Sequence, residues 1–251
     1  MTYQTFAHVY DEVMDHEQYQ LWVKFTKDSF DTYSSRKIQK VMELACGTGE
    51  VSTLLTEAGY QVTGVDLSNE MLDIAKEKYQ QDYPSIDWVQ KDMRDLKGLE
   101  TFDAITLYSD SLCYLTEFED TVKVFKTVYE HLEEDGLFLF DVHSLYQMQE
   151  VFPGYQYHYT SENLAFLWQS YELEEPGSVE HVIDMFVRDE SQTSKALFEH
   201  FQEVHVEQTF PVEWYQEALE MVGFKKVWIK ANFGESEVEE TSPRWFFIAL
   251  K

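Results

Sequence analysis

The sequence predicts a doubly wound α/β fold into which a small antiparallel β-sheet is inserted. The first observation is a strand–turn–helix unit: an apolar run from Ile38 to Leu44 leads into the glycine-rich turn Cys46-Gly47-Thr48-Gly49, and an amphipathic helix follows. The second is the alternation of apolar strands with amphipathic helices as far as Val142. The third is the loss of that alternation over residues 151–209, which carry four strand-like runs instead.

Length and composition limit the classes of protein to consider. The 251 residues, 44% of them hydrophobic, suffice for one large domain or a domain with an insertion. No apolar run approaches the roughly 20 residues of a membrane span, and the first residues do not resemble a signal peptide. Because Cys46 and Cys113 support neither a zinc site nor a disulfide framework, we expect no metal and a cytoplasmic location.

The charge of the chain bears on its partners. The formal net charge is −28, from 19 basic and 47 acidic residues. A chain this acidic repels phosphate backbones unless it carries a strong local basic patch. The most basic run is Arg36-Lys37-Ile38-Gln39-Lys40. It is short, and it is more simply interpreted as a solvated connection between a helix and a strand. Nucleic acid is therefore disfavoured, though not excluded, and a small or cationic partner is the first expectation.

Carboxylates flank the glycine-rich turn and indicate which ligand fits it. A dinucleotide-binding turn has the pattern G-x-G-x-x-G, but Ser52 stands where the third glycine would be. Glu43 ends the strand and Glu50 opens the helix, so a pyrophosphate would be repelled and a cationic ligand favoured. A plain turn in another α/β domain is the simpler alternative.

At this point the sequence resembles a known family. Glu43-Leu44-Ala45-Cys46-Gly47-Thr48-Gly49 is similar to the first motif of class I S-adenosylmethionine (SAM)-dependent methyltransferases. The resemblance implies a Rossmann-like, seven-stranded sheet whose last strand is antiparallel. It also implies SAM as cofactor and S-adenosylhomocysteine (SAH) as product. Cofactor contacts are then expected at Glu43, Ala45, Gly47 and Gly49.

Residues 1–35 are predicted to form a helical cap on the core. Apolar residues such as Val9, Tyr19 and Trp22 recur at helical spacing, which by itself indicates only an amphipathic helix. However, Tyr3-x-x-Phe6-Ala7-x-x-Tyr10-Asp11 is similar to the N-terminal segment of many small bacterial methyltransferases, where this segment covers the cofactor. The resemblance therefore implies a cofactor contact at Tyr10.

Two further acids follow the second and third predicted strands. Asp66 ends the run Gln61-Val62-Thr63-Gly64-Val65, where a doubly wound fold binds ribose hydroxyls; Ser68 and Glu70 also mark a helix start here, so helix capping is the alternative. Asp66-Leu67-Ser68-x-x-Met71 resembles the second signature of the family, in which Leu67 and Met71 flank the adenine. The resemblance also implies adenine contacts at Asp92 and Met93, although a solvated turn would explain these residues equally simply.

The fourth and fifth strands should deliver residues to the ligand. Ligands bind outside the carboxyl ends of strands in open α/β sheets, so the loop after Leu107 should line the pocket. We expect cofactor contacts from Tyr108 and Asp110 and an acceptor contact from Tyr114. His143 closes the fifth strand at the same edge, where an imidazole could orient an acceptor or take its proton; a buried structural histidine is the alternative.

Residues 151–209 are expected to form either a lid over the carboxyl edge of the main sheet or a surface for homodimerisation. As a lid, this insertion would contribute five residues to an acceptor pocket: Trp168, Tyr171, His200, Glu203 and His205. Residues 1–150 and 210–251 would then form the SAM-binding core.

The sequence thus predicts an enzyme that moves the SAM methyl group to a small-molecule acceptor by in-line displacement. No catalytic residue is assigned; the candidates are Asp110, His143 and His205. Three alternatives remain: a nicotinamide oxidoreductase, which would need the missing third glycine, an RNA methyltransferase with a basic rim, and a non-catalytic SAM-binding protein.

Overall fold

The computed structural model describes Val9, Glu12, Val13, residues 16–189 and residues 197–251, so the predicted contact of Tyr10 lies outside the described residues. The helices are α1 (His16–Tyr33), α2 (Glu50–Glu57), α3 (Asn69–Tyr79), α4 (Phe118–His131) and α5 (Val212–Val222). The strands are β1 (Lys40–Leu44), β2 (Gln61–Asp66), β3 (Asp87–Gln90), β4 (Phe102–Leu107), β5 (Leu132–His143), β6 (Gln156–Thr160), β7 (Leu164–Glu172), β8 (Ser178–Arg188), β9 (Phe198–Gln208), β10 (Lys226–Lys230) and β11 (Arg244–Leu250).

The main sheet has seven strands in the order β10-β11-β5-β4-β1-β2-β3. β11 is antiparallel to β5 and β10, whereas the pairs among β1 to β5 are parallel. The chain order reverses between β1 and β4, which is the switch point at which such sheets bind ligands. The prediction of a doubly wound, seven-stranded sheet with an antiparallel last strand is confirmed.

Helices cover both faces of this sheet because its central strands are apolar on both sides. Phe138 and Phe140 of β5 pack in the cluster that contains α4 and α5, whereas Leu137 and Leu139 pack with α1 and α2. This alternation is the two-residue period of a strand buried on both faces. The carboxyl edge of the sheet is thereby held rigidly between the two helical layers.

The insertion forms a second sheet of four antiparallel strands in the order β6-β7-β8-β9. His181 pairs with His205, and this register places the odd-numbered residues of β8 and β9 on one face. That face buries Ile183 and Met185 as expected, but also His181, Glu203, His205 and Glu207. Because buried polar groups are costly unless they are paired, this polar end of the sheet indicates a site. No helix among the described residues has the length and apolar character needed to cross a membrane.

Candidate active site

The turn after β1 is shaped by three residues with positive φ. Ala45, Gly47 and Gly49 have φ values of 51°, 54° and 89°. A Cβ at Gly49 would lie 2.5 Å from Cη2 of Trp88, so only glycine fits there. A Cβ at Gly47 would meet nothing within 4 Å, and the chain is therefore open to a ligand at that residue.

Asp66 joins this turn to the start of α3. Its carboxylate accepts hydrogen bonds of 2.8 Å from the N–H groups of Gly47 and Ser68, and Ser68 in turn caps α3 by accepting from the N–H of Met71. Each carboxylate oxygen retains capacity for a further donor. Burial raises the pKa of Asp66, and the two N–H groups oppose this rise. Helix capping and ligand binding are therefore compatible at this position.

A narrow cleft of about 30 Å³ lies beside the turn. We call it the narrow cleft; its lining is Tyr19, Trp22, Glu43, Ala45, Cys46, Thr48, Glu50, Val51, Tyr108 and Ser109. Glu43 is buried in it and accepts a hydrogen bond from Ser52, and burial raises the pKa of Glu43 to about 8. Tyr108 shares a 2.6 Å hydrogen bond with Thr26 of α1 rather than pointing a free hydroxyl at a ligand.

The segment after β3 is dominated by an ion-pair network. Arg94 donates hydrogen bonds to Asp92 and to Asp120. The hydrogen bonds from Arg94 to Asp92 lower the pKa of Asp92. Any further donor to Asp92 would share oxygens that Arg94 already occupies. The remaining predicted adenine neighbours differ in exposure: Met71 is buried, Met93 is half-buried and Leu67 is 65% exposed.

Asp110 and Asp141 share one arginine at the carboxyl edge. Arg244 lies 2.7 Å from Asp110 and also contacts Asp141, which is wholly buried and accepts from the Trp22 indole at 3.2 Å. Burial raises the pKa of Asp110, but the charges of Arg244 and His143 outweigh it and hold that pKa below its usual range. Asp110 is thus an anion, held in a left-handed conformation with φ 49°.

His143 ends β5 beside this group. Its Nε2 lies 3.0 Å from Asp110 Oδ2, and its buried Nδ1 has no hydrogen-bond partner among the described residues. His143 and Arg244 also line a wide cleft of about 630 Å³, bounded by Gln18 and Leu21 of α1 and by residues of the 231–243 loop. We call this the wide cleft. It adjoins the narrow cleft, because Arg244 lies 5.7 Å from the ring of Trp22.

The insertion adds a second buried polar group. His205 contacts Tyr114 through Nδ1 at 3.2 Å and Glu203 through Nε2 at 3.0 Å. Glu207 lies 3.9 Å from His143 and 3.8 Å from His181. The structure therefore brings Asp110, Tyr114, His143 and His205 to one place, whereas Tyr171 and His200, also considered for the acceptor pocket, are exposed.

Three residues of this site do not follow from the sequence analysis. Arg244 has a signal that could have found it: an antiparallel last strand starts at the edge where parallel strands end. His181 and Glu207 have none, because their approach depends on the register of β8 and β9. Asp110, His143 and Glu207 place ligand-type atoms within 4.8 Å of one another, a grouping that the expectation of no metal did not foresee.

This arrangement is that of a class I SAM-dependent methyltransferase, and comparison with known proteins agrees. A family described as a methyltransferase domain matches residues 41–136. The chain belongs to the methyltransferase family: over its full length it is 39% identical to YqeM of Bacillus subtilis (strain 168), a protein provisionally named a methyltransferase, 98% of which is covered.

Solved structures extend the likeness to the whole fold. A SAM-dependent methyltransferase from Clostridium acetobutylicum ATCC 824 is 27% identical, with a TM-score of 0.85 over 99% of this chain and 98% of that one. The sugar N-methyltransferase KedS8 from Streptoalloteichus sp ATCC 53650, 20% identical, has a TM-score of 0.78 over 100% of this chain and 93% of that one and shows the shared fold alone. The enzyme uses SAM as its cofactor.

The residues around the narrow cleft suit SAM. Asp66 offers carboxylate oxygens to paired hydroxyls, Glu43 offers a buried carboxylate to a cationic group, and the open side of Gly47 lets a ligand reach the backbone. A pyrophosphate would instead face Glu43 and Glu50. These carboxylates and the open backbone thus match a ligand that has a ribose and a positive charge.

Proposed function

We propose that this enzyme methylates a small polar molecule held in the wide cleft, and that the Asp110–His143 pair accepts the proton that the acceptor loses. The observation that carries the proposal is the position of His143. Its ring lines the wide cleft, its Nε2 is held by Asp110 at 3.0 Å, and its Nδ1 has no hydrogen-bond partner in the part of the chain that the structure describes. The narrow cleft adjoins the wide cleft at the place where Arg244 lies over the ring of Trp22.

The chemistry limits what the chain has to supply. When bound, SAM provides a methyl group already activated by its sulfonium, and we infer displacement in line with the carbon–sulfur bond. The side chains therefore need to align the acceptor and exclude water. Asp110 fixes the imidazole of His143 and stabilises the imidazolium that forms when His143 takes a proton.

For the cofactor, we propose contacts through the residues around the turn and the strand ends. Asp66 accepts from the ribose hydroxyls and Glu43 faces the ammonium group. The remaining proposed contacts are Ala45, Gly47, Gly49, Leu67, Met71, Asp92, Met93, Tyr108 and Asp110. Tyr114, Trp168 and Glu203 are proposed to shape the acceptor side, and His205 to hold Tyr114 in place.

The character of the wide cleft favours a small molecule over RNA. Glu237 and Glu239 line it, and Arg244 is the one lysine or arginine among its described lining residues. Arg244 is already engaged by two carboxylates, so no basic rim is left for a phosphate backbone.

The test is transfer of label from methyl-tritiated SAM to a bacterial extract divided into a low-molecular-mass fraction and total RNA. We expect label in the first fraction. Label in RNA would support the RNA methyltransferase instead, and label in neither would support a non-catalytic SAM-binding protein.

The same assay tests His143. For His143→Asn we expect kcat to fall by about 10²-fold or more, as for loss of a general base, with SAM affinity retained. His158→Asn, at an exposed histidine of β6, serves as the matched control. An unchanged kcat for His143→Asn would refute the proton-accepting role.

A further inference from the structure

Four buried polar atoms meet without partners where the two sheets join. They are His143 Nδ1, Trp168 Nε1, His181 Nε2 and Glu207 Oε2, none of which has a hydrogen-bond partner among the described residues. The rings of His143 and His181 lie 4.9 Å and 4.8 Å from that of Phe152, and the Trp168 ring lies 6.2 Å from it. We call this group the junction cluster. Native proteins rarely leave one such atom unsatisfied, so four together indicate a ligand.

Among the described residues, no fixed cation is left over to pair with the buried carboxyl group of the junction cluster. The side chain of Glu207 is only 6% exposed, and the nearest fixed cation, Arg244, is divided between Asp110 and Asp141. His181 does not supply a charge, because burial and then His143 lower its pKa to about 4. Burial and the charge of Asp110 raise the pKa of Glu207 well above its usual range, although the charge of Arg244 and a hydrogen bond from Tyr114 to the Glu207 carboxyl group oppose the rise. Glu207 therefore ionises readily only when a cation arrives.

An organic cation suits this cluster better than a metal ion. A metal bound by Asp110, His143 and Glu207 would sit beside the Arg244 guanidinium, 2.7 Å from Asp110. Metal-bound histidines also usually donate their second N–H to an acceptor, and His143 Nδ1 has none. An ammonium group instead offers several N–H donors to Glu207 and to imidazole nitrogen, and Phe152 and Trp168 provide aromatic faces for its charge.

We therefore propose that the methyl acceptor of this enzyme is an amine, whose nitrogen is received in the junction cluster by Glu207 Oε2 and lies next to His143. This inference rests on the proposed function. On transfer, the ammonium gives one proton to His143, and the nitrogen lone pair forms the new bond to the methyl carbon. The carbon–sulfur electron pair stays on sulfur, and the positive charge passes from sulfur to nitrogen.

The experiment compares an amine with its alcohol on the SAH-saturated full-length protein. Benzylamine and benzyl alcohol have the same aromatic ring and differ in the charged group, so they are titrated separately by calorimetry in the presence of a metal chelator. We expect benzylamine to bind at least ~10-fold more tightly than benzyl alcohol, as for a charge-assisted hydrogen bond. Equal affinities, or no binding of either probe, would overturn the amine assignment.

Glu207→Gln identifies the residue responsible, because it removes the charge and keeps the shape. We expect this variant to lose the preference for benzylamine, whereas Glu180→Gln retains it. Glu180 lies next to His181 on β8 but on the opposite face of the strand, so it is a matched control for the lost charge. An undiminished preference in Glu207→Gln would also overturn the proposal.

The two proposals fail in different ways in this design. If SAH itself does not bind, the proposed methyltransferase function is overturned, whether or not benzylamine binds. If SAH binds and benzylamine gains nothing over benzyl alcohol, only the amine assignment fails. The comparison of the two probes on the wild-type protein needs no variant, so it holds even if Glu207→Gln folds poorly.

Discussion

Glu43 is a carboxylate whose protonation should follow the cofactor. It is buried in the narrow cleft, and burial raises its pKa to about 8, so at neutral pH it carries a proton. A cation beside it favours the ionised form and lowers that pKa in the complex. Binding of SAM should therefore release a proton near pH 7, and affinity should rise as the pH is raised toward about 8 and then level off.

Calorimetry in two buffers with different ionisation enthalpies counts this proton. For Glu43→Gln we expect the release to disappear and the affinity to lose its dependence on pH over the same range. Ser52→Ala, which removes the hydrogen bond to Glu43 and keeps the titratable carboxyl group, is the comparison variant. Proton release of the same size in Glu43→Gln would assign it to another group, such as Asp66, and contradict this role.

Individual site residues differ in how far the sequence could anticipate them. Gly47 and Asp66 lie at the ends of neighbouring parallel strands, so the chain pattern alone places them together, and the structure joins them by a 2.8 Å hydrogen bond. Glu207 and His181 approach His143 only because β8 and β9 pair with His181 opposite His205. A slip of one residue in that register would turn both side chains to the other face, and no local pattern fixes it.

At the level of elements, we expect α1 to control access to the cofactor site. Tyr19 and Trp22 line the narrow cleft, whose volume of about 30 Å³ holds a water or two and not a nucleoside. Trp22 is anchored to Asp141, and Thr26 to Tyr108. The helix is therefore docked on the carboxyl ends of β4 and β5, and we expect it to shift when a ligand of the size of SAM enters.

Hydrogen exchange can follow that shift. We expect SAH to slow amide exchange in His16–Tyr33, because a ligand beneath the helix is retained only when the helix is closed. α4, which packs on the opposite face of the sheet, should change little and serves as the internal control. Equal protection of both helices, or none in α1, would mean that the cofactor enters by another route.

For the molecule as a whole, the order of motifs predicted the doubly wound core, and the family resemblance implied the seven strands and the antiparallel last strand. One strand–turn–helix unit followed by regular alternation leaves few topologies, because parallel crossovers are right-handed. The second sheet was predictable as a group of antiparallel strands, but how it packs on the core was not. Phe152 and Trp168 make that packing through aromatic contacts with His143 and His181, which depend on tertiary structure alone. Homodimerisation through the insertion and a cytoplasmic location stay predictions.

The charge of the whole chain gives the last prediction. With 47 acidic and 19 basic residues, the folded state repels itself, and salt should relieve this repulsion. Raising the ionic strength from about 0.01 M to about 0.1 M shortens the Debye length from about 30 Å to about 10 Å. Exposed pairs such as Lys24–Asp28 are weakened too, but pairs this exposed to solvent contribute little to stability, so the relief of repulsion should dominate.

We therefore expect the Tm at neutral pH to rise with salt, by about 2–4 °C for each kcal/mol of repulsion removed in a chain of this size. Scanning calorimetry with sodium chloride measures the change. The same titration at about pH 5, where carboxylates begin to bind protons, should show a smaller rise because fewer charges repel. A Tm that falls with salt at neutral pH would show that the surface ion pairs outweigh the excess negative charge.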